Sequence, residues 1–223
     1  MSISHNPLLR LLQLSSPTLP VGAYAYSQGA ESAVNARVVV DEKSATVWIK
    51  DVLLHSLAYG DLALLSHFYQ AWSENNQSKL AELVELSIAL RETHELQQED
   101  LHIAKALMRL AAPLGVSFSA KNPADITYTW AFSRFAQQWQ IPLEDALQVF
   151  AWSWLENQVA AMIKLVPLGQ TQGQVMLLGM DDVIQEAVSI ACAVGVDEIG
   201  SSLPNLAILS SRHEIQYSRL FRS

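Results

Sequence analysis

The stretch Ile141–Ile163, IPLEDALQVFAWSWLENQVAAMI, decides the fold. Its apolar residues Leu143, Ala146, Leu147, Phe150, Ala151, Trp154, Leu155, Val159 and Met162 recur mostly at steps of three and four. That spacing lines them along one stripe of an α-helix. Pro142 takes a first-turn position that proline favours, and Glu144, Asp145, Glu156 and Asn157 mark the opposite edge. Outward from this helix the chain reads the same way. Helices are predicted over 7–14, over 42–58 behind Asp41 as N-cap, and from Asp61 through Leu64, Phe68 and Trp72. Three more cover 77–112 (one long or kinked run), 125–139 and 172–194, and only Arg37–Val40 reads as strand. No repeat, low-complexity tract or long linker divides the sequence. The expectation is an all-α chain, a single globular domain over residues 1–223 with about nine or ten helices.

With 223 residues, half of them apolar, the chain can bury a sizeable core. Only 16% of residues are charged, a low share that points to surface covered by another protein. A formal charge of −8 argues against nucleic acid, whose phosphates call for concentrated Lys and Arg. No uncharged apolar run approaches the ~20 residues of a membrane span. The single cysteine, Cys192, and a start with Pro7, Pro17 and Pro20 in place of a lysine-led apolar leader fit a cytoplasmic protein.

The residues offer little chemistry. No Gly-rich loop ends in Gly-Lys-Ser/Thr, so no nucleotide cradle is expected. His94-Glu95-Leu96-Gln97-Gln98 opens like a zinc-protease helix but carries glutamine where the second histidine belongs. Glu99 and His102 have the spacing of one half of a di-iron site, with no second half; the plainer reading is a solvated helix face. Ala25-Tyr26-Ser27-Gln28-Gly29 resembles a nucleophile elbow, yet Leu19-Pro20-Val21-Gly22 cannot form the buried strand that must lead into it. A helical hydrolase using Ser27, or a metal-dependent enzyme using Glu99 and His102, is therefore the alternative, and no cofactor is expected. The corner Lys164–Gln174, KLVPLGQTQGQ, holds amides, one lysine and one threonine but no carboxylate, histidine, cysteine or serine. Amides recognise without moving protons, which suits a surface made for a partner.

Three stretches carry a family resemblance. Leu12–Gly22 (LQLSSPTLPVG) leads into Tyr24–Glu31 (YAYSQGAE); the Lys164–Gln174 corner and the terminal Gln216–Ser223 (QYSRLFRS) complete the set. With Arg91-Glu92-Thr93, Glu95-Leu96 and Gly200-Ser201, these resemble the UreF family of urease accessory proteins from end to end. The resemblance implies an all-helical, dimeric, non-catalytic protein. It implies binding to UreD (UreH in some organisms) and recruitment of the GTPase UreG to the urease apoprotein. There the assembly helps install two nickel ions, with GTP hydrolysis modulated. Ala23, Ala30 and His94 depart from residues common in the family.

Residue by residue, Glu31 matches the glutamate closing the Ser-Gln-Gly-x-Glu motif, and Lys164 the lysine before Val-Pro-x-Gly-Gln. Both are expected to contact partners, as is Gln170; plainer roles are a solvated face for Glu31, a helix-end charge for Lys164 and loop capping for Gln170 and Gln174. Residues 211–223 are expected to form a partner-binding tail, with Arg219, Leu220, Phe221 and Arg222 as contacts: apolar anchors between forked donors. The tail is expected to be loose alone and to order on binding.

Overall fold

Capping residues and apolar periodicity divide the chain into helices in the order α1 (Pro7–Leu14), α2 (Ala30–Asn35), α3 (Glu42–Val52), a π-helical stretch (Leu53–Leu62) and α4 (Ala63–Ser73). They continue as α5 (Gln77–Ala89), α6 (His94–Ala111), α7 (Tyr128–Gln138), α8 (Leu143–Leu165), α9 (Gln170–Leu178), α10 (Asp181–Ala193) and α11 (Pro204–Glu214). The structure is a computed structural model that describes residues 6–118, 126–200 and 203–223. Because α3, the π-helical stretch and α4 follow one another without a break, the described residues form ten helices and no strand.

The helix that decided the reading lies at the centre. α8 touches α1, α2, α3, α4, α7, α9 and α10, with Leu147, Ala151, Leu155 and Met162 fully buried. Being surrounded, it buries more than a stripe: Asn157 and Gln158 are buried too, so Asn157 does not mark a solvent edge. Pro142 stands one position before the first turn, as N-cap. Around α8, two aromatic groups fill the space between helices. Trp72, Phe118, Trp130 and Phe135 make one, and Tyr128, Phe132 and Phe150 the other.

Several expected boundaries move, each for a local reason. The helix from Asp41 has the expected cap, a capping box in which Asp41 and Ser44 bond each other's backbone. It does not stop at 58, and Asp61 opens nothing: the chain widens into the π-helical stretch and continues. The run 77–112 is two helices, because Thr93 in extended conformation caps α6 through Leu96 N–H. The run 172–194 breaks at Gly179–Met180. Arg37–Val40 is a turn: Arg37 has φ 58°, and Val38 and Val39 both donate to the Ala33 carbonyl, closing α2. The expected start of the 125–139 helix, like Ser201 of the Gly-Ser pair, lies outside the described residues; α7 begins at Tyr128. α11 is an addition: only its residues 211–214 fall in the expected tail, and its Pro at N1 is the sequence signal that marks it.

The candidate functional site

Residues 215–223 fold back onto the body, held by two buried carboxylates. Glu31, in the first turn of α2, accepts from Leu220 N–H at 2.8 Å, Phe221 N–H at 2.9 Å and Gln216 Nε2 at 3.3 Å. Glu99, on α6, accepts from Ser223 Oγ at 2.8 Å and from Gln28 Nε2 at 2.7 Å. Ser27 N–H and Oγ both donate to the Ser223 carbonyl, and Arg222 N–H donates to the Ala25 carbonyl at 2.8 Å. Phe221 and Ser223 are buried, and Lys164 Nζ lies 5.4 Å from the centre of the Phe221 ring. The tail therefore does not hang loose in the isolated chain. Its bent, non-helical backbone leaves the Leu220 and Phe221 N–H groups without helical partners, and Glu31 supplies their acceptor.

Local backbone geometry builds the cradle. Gln28 and Gly29 both have left-handed φ, 52° and 83°. This sharp bend starts α2 against α11, where a Cβ on Gly29 would meet Leu206 Cδ1 at 3.1 Å. The bend also aims the Gln28 side chain inward, where its carbonyl accepts from Trp154 Nε1 at 2.6 Å while its amide serves Glu99. Asn157 Nδ2 fixes the same segment through the Tyr26 carbonyl at 3.0 Å.

Charge is concentrated beside the tail. His213, fully buried on α11, points Nε2 at Glu31 Oε2 (3.2 Å) and Nδ1 at Glu95 Oε2 (2.7 Å). Glu95 also receives Arg219 Nη1 from the tail, and Glu95 N–H donates to Glu214 Oε1 at 3.1 Å. Burial lifts the Glu99 carboxyl to about 7, although Ser223, Gln28 and the Arg91 charge favour its ionised form. Next to Glu99, Asp100 on α6 pairs with Arg91, which also reaches Asp61 in the π-helical stretch. Burial opposes the Arg91 charge, but the two carboxylates outweigh it and hold the guanidinium above its ordinary value.

The expected site residues thus separate. Glu31, Lys164, Arg219, Leu220 and Phe221 converge, and Arg222 joins through its backbone while its side chain is exposed. Glu31 is not on a solvated face; it is buried beneath the tail. Gln170, exposed in the first turn of α9, makes no bond to the tail. The structure adds Ser27, Gln28, Glu95, Glu99 and His213. Their contacts join positions 71 to 196 apart in sequence, and no spacing rule links such residues. The solvated face expected for Glu99 to His102 is also corrected: Glu99 and Asp100 are buried.

The enzymatic alternatives find their residues engaged elsewhere. Ser27 Oγ donates to Ser223 and accepts from Glu31 N–H at 3.3 Å, and no histidine bonds it. His102 Nδ1 pairs with Tyr26 OH at 3.3 Å. Among the described residues no group of three or more His, Cys, Asp or Glu is arranged to hold a metal ion. Glu31 and Glu95 face opposite nitrogens of His213, so that trio cannot close on one ion. No described helix is long and apolar enough to cross a membrane.

Comparison with known proteins gives one consistent result. The family model described as UreF matches residues 39–181. Proteins named urease accessory protein UreF match throughout. That of Alkalilimnicola ehrlichii is 42% identical over the whole of both chains. That of Azoarcus sp. is 43% identical over 97% of this chain and 96% of its own. That of Teredinibacter turnerae is 44% identical over 98% of this chain and its own full length.

Proposed function

The chain belongs to the UreF family of urease accessory proteins, and from that premise we propose that it is a non-catalytic scaffold of urease maturation. In this reading it binds UreD (UreH), recruits the GTPase UreG to the urease apoprotein for nickel insertion, and modulates GTP hydrolysis. It acts as a homodimer in the cytoplasm, takes no cofactor and binds no nucleic acid or membrane. The observation that supports this reading most is the docked tail. Its inner side chains, Phe221 and Ser223, grip the body, while Ile215, Tyr217 and Leu220 stand 86%, 105% and 63% exposed beside the Arg219 and Arg222 guanidiniums. Large apolar side chains held out between forked cations are what a partner with an apolar, acidic cleft would take.

Within this reading Glu31 and Phe221 shape the tail, whereas Arg219, Leu220 and Arg222 make contact. Lys164, lying on Phe221, links the Lys164–Gln174 corner to the same surface. Gln170 would then serve a second contact on the corner itself. Co-purification of the tagged chain with UreD and UreG, with urease activation measured in cells, tests the proposal. Removing residues 219–223 is expected to weaken capture of a partner and lower urease activation. Full activation without those residues would take the tail out of the mechanism, and substrate turnover by the purified chain alone would end the scaffold reading.

A further inference from the structure

His213 is enclosed in a way a neutral imidazole cannot satisfy. Each ring nitrogen faces a carboxylate oxygen, Glu31 Oε2 on one side and Glu95 Oε2 on the other, and the ring is fully buried. A carboxylate in this position accepts, so both nitrogens must donate, and only the doubly protonated ring has two N–H groups. The Glu31 oxygen that meets the ring is the one that receives Phe221 N–H. We propose that His213 positions the tail, and that its proton is a lock: the tail stays docked while the ring carries charge and loosens when the ring loses it.

The surrounding charges fix the direction. α2 brings Glu31 and α6 brings Glu95 to the ring, with Glu99 one turn further along α6. The tail brings Arg219 onto Glu95, and α11 itself carries Arg212 and Glu214. Removing one proton from His213 leaves a ring lone pair facing a carboxylate without water to screen it. The one remaining N–H can serve only one carboxylate, so the ring loses its hold either on Glu31, which accepts from Leu220 and Phe221 N–H, or on Glu95, which accepts from Arg219, and both carry the tail. Docking is therefore strongest at low pH and weakens as pH rises. The biological consequence rests on the tail being the partner-binding element, but the lock itself does not.

The test uses the full chain without partners. Ring 15N and 13C shifts of His213 and hydrogen-exchange protection of the Leu220 and Phe221 amides are followed from pH 5.5 to pH 9. The expected result is a doubly protonated ring wherever the amides are protected. Both change together, and in Glu99→Gln, where the other titrating group that holds the tail is gone, protection falls about tenfold per pH unit above the step, as one linked proton requires. His213→Gln is expected to lower protection at acid pH and abolish the step, while Glu99→Gln keeps it. Protection constant over the range, a ring singly protonated in the docked state, or a step lost in Glu99→Gln would overturn the lock. Should His213→Gln not fold, the titration of the natural chain decides by itself. Capture of UreG and UreD at each pH is a separate arm: a proton-linked step with unchanged capture preserves the lock and removes the tail from partner binding.

Discussion

Glu99 shows what a single buried carboxyl contributes. Burial raises it to about 7, so the folded chain favours its protonated form more than the unfolded chain does. The sign follows: stability is greatest below the ordinary carboxylate range, is lost as pH climbs through about 7, and levels off above. Glu99→Gln keeps the shape, accepts from Gln28 and donates to Ser223. It should flatten that slope and gain on the order of 1–3 kcal/mol at pH 8, measured by urea unfolding at several pH values. Thr93 is a second single-residue test. Its Oγ1 accepts from Leu96 N–H and pairs with Ser210 Oγ at 2.9 Å, so it caps α6 and ties it to α11. Thr93→Ala should cost about 1–2 kcal/mol. At this scale the sequence was half legible. The Ser-Gln-Gly-x-Glu stretch named Glu31, but not that Glu31 lies under the tail, because a lone glutamate in a first helical turn reads equally well as solvated.

Among elements, the packing of α9 on α8 turns on Gly173. A Cβ there would meet Ile163 Cδ1 at 2.5 Å and Val159 Cγ1 at 3.3 Å. The Ile163 tip can swing aside for a methyl, but not for two more carbons. Gly173→Val should therefore cost about 1–3 kcal/mol, read as a lower thermal midpoint. α8 itself was the most legible element, since twenty-odd residues of helical periodicity with an N-terminal proline leave one reading. Helix breaks were less legible. Thr93 capping α6 and Gly179–Met180 ending α9 are ordinary residues whose punctuation emerges only when neighbouring helices force the chain to turn. The π-helical stretch is legible as helix through residue 58 but not as π, because Leu53, Leu54, Leu57 and Ala58 keep apolar steps that suit either helix.

For the molecule as a whole, Arg91 is the connection between the π-helical stretch and α6. It bonds Asp61 twice and Asp100 once, with little solvent reaching any of the three. Arg91→Ala removes the cation from the buried Asp100 and the partly buried Asp61, leaving Asp100 only the Tyr128 N–H, and should destabilise the fold by about 2–4 kcal/mol. Denaturant unfolding would show this as an earlier midpoint with unchanged slope. The all-α class was readable from end to end, since periodicity is a local property. The tail clasp was not, since it is made of contacts between the two ends of the sequence.

That remoteness fixes an order of events. The segment 25–31 and its partners at 220–223 are separated by nearly two hundred residues, so the clasp can close only after residues 220–223 have been made. Throughout synthesis Glu31 and Glu99 wait without their main ligands. A nascent chain, however well folded its helices, therefore carries an open cradle at 25–31 until residues 220–223 emerge.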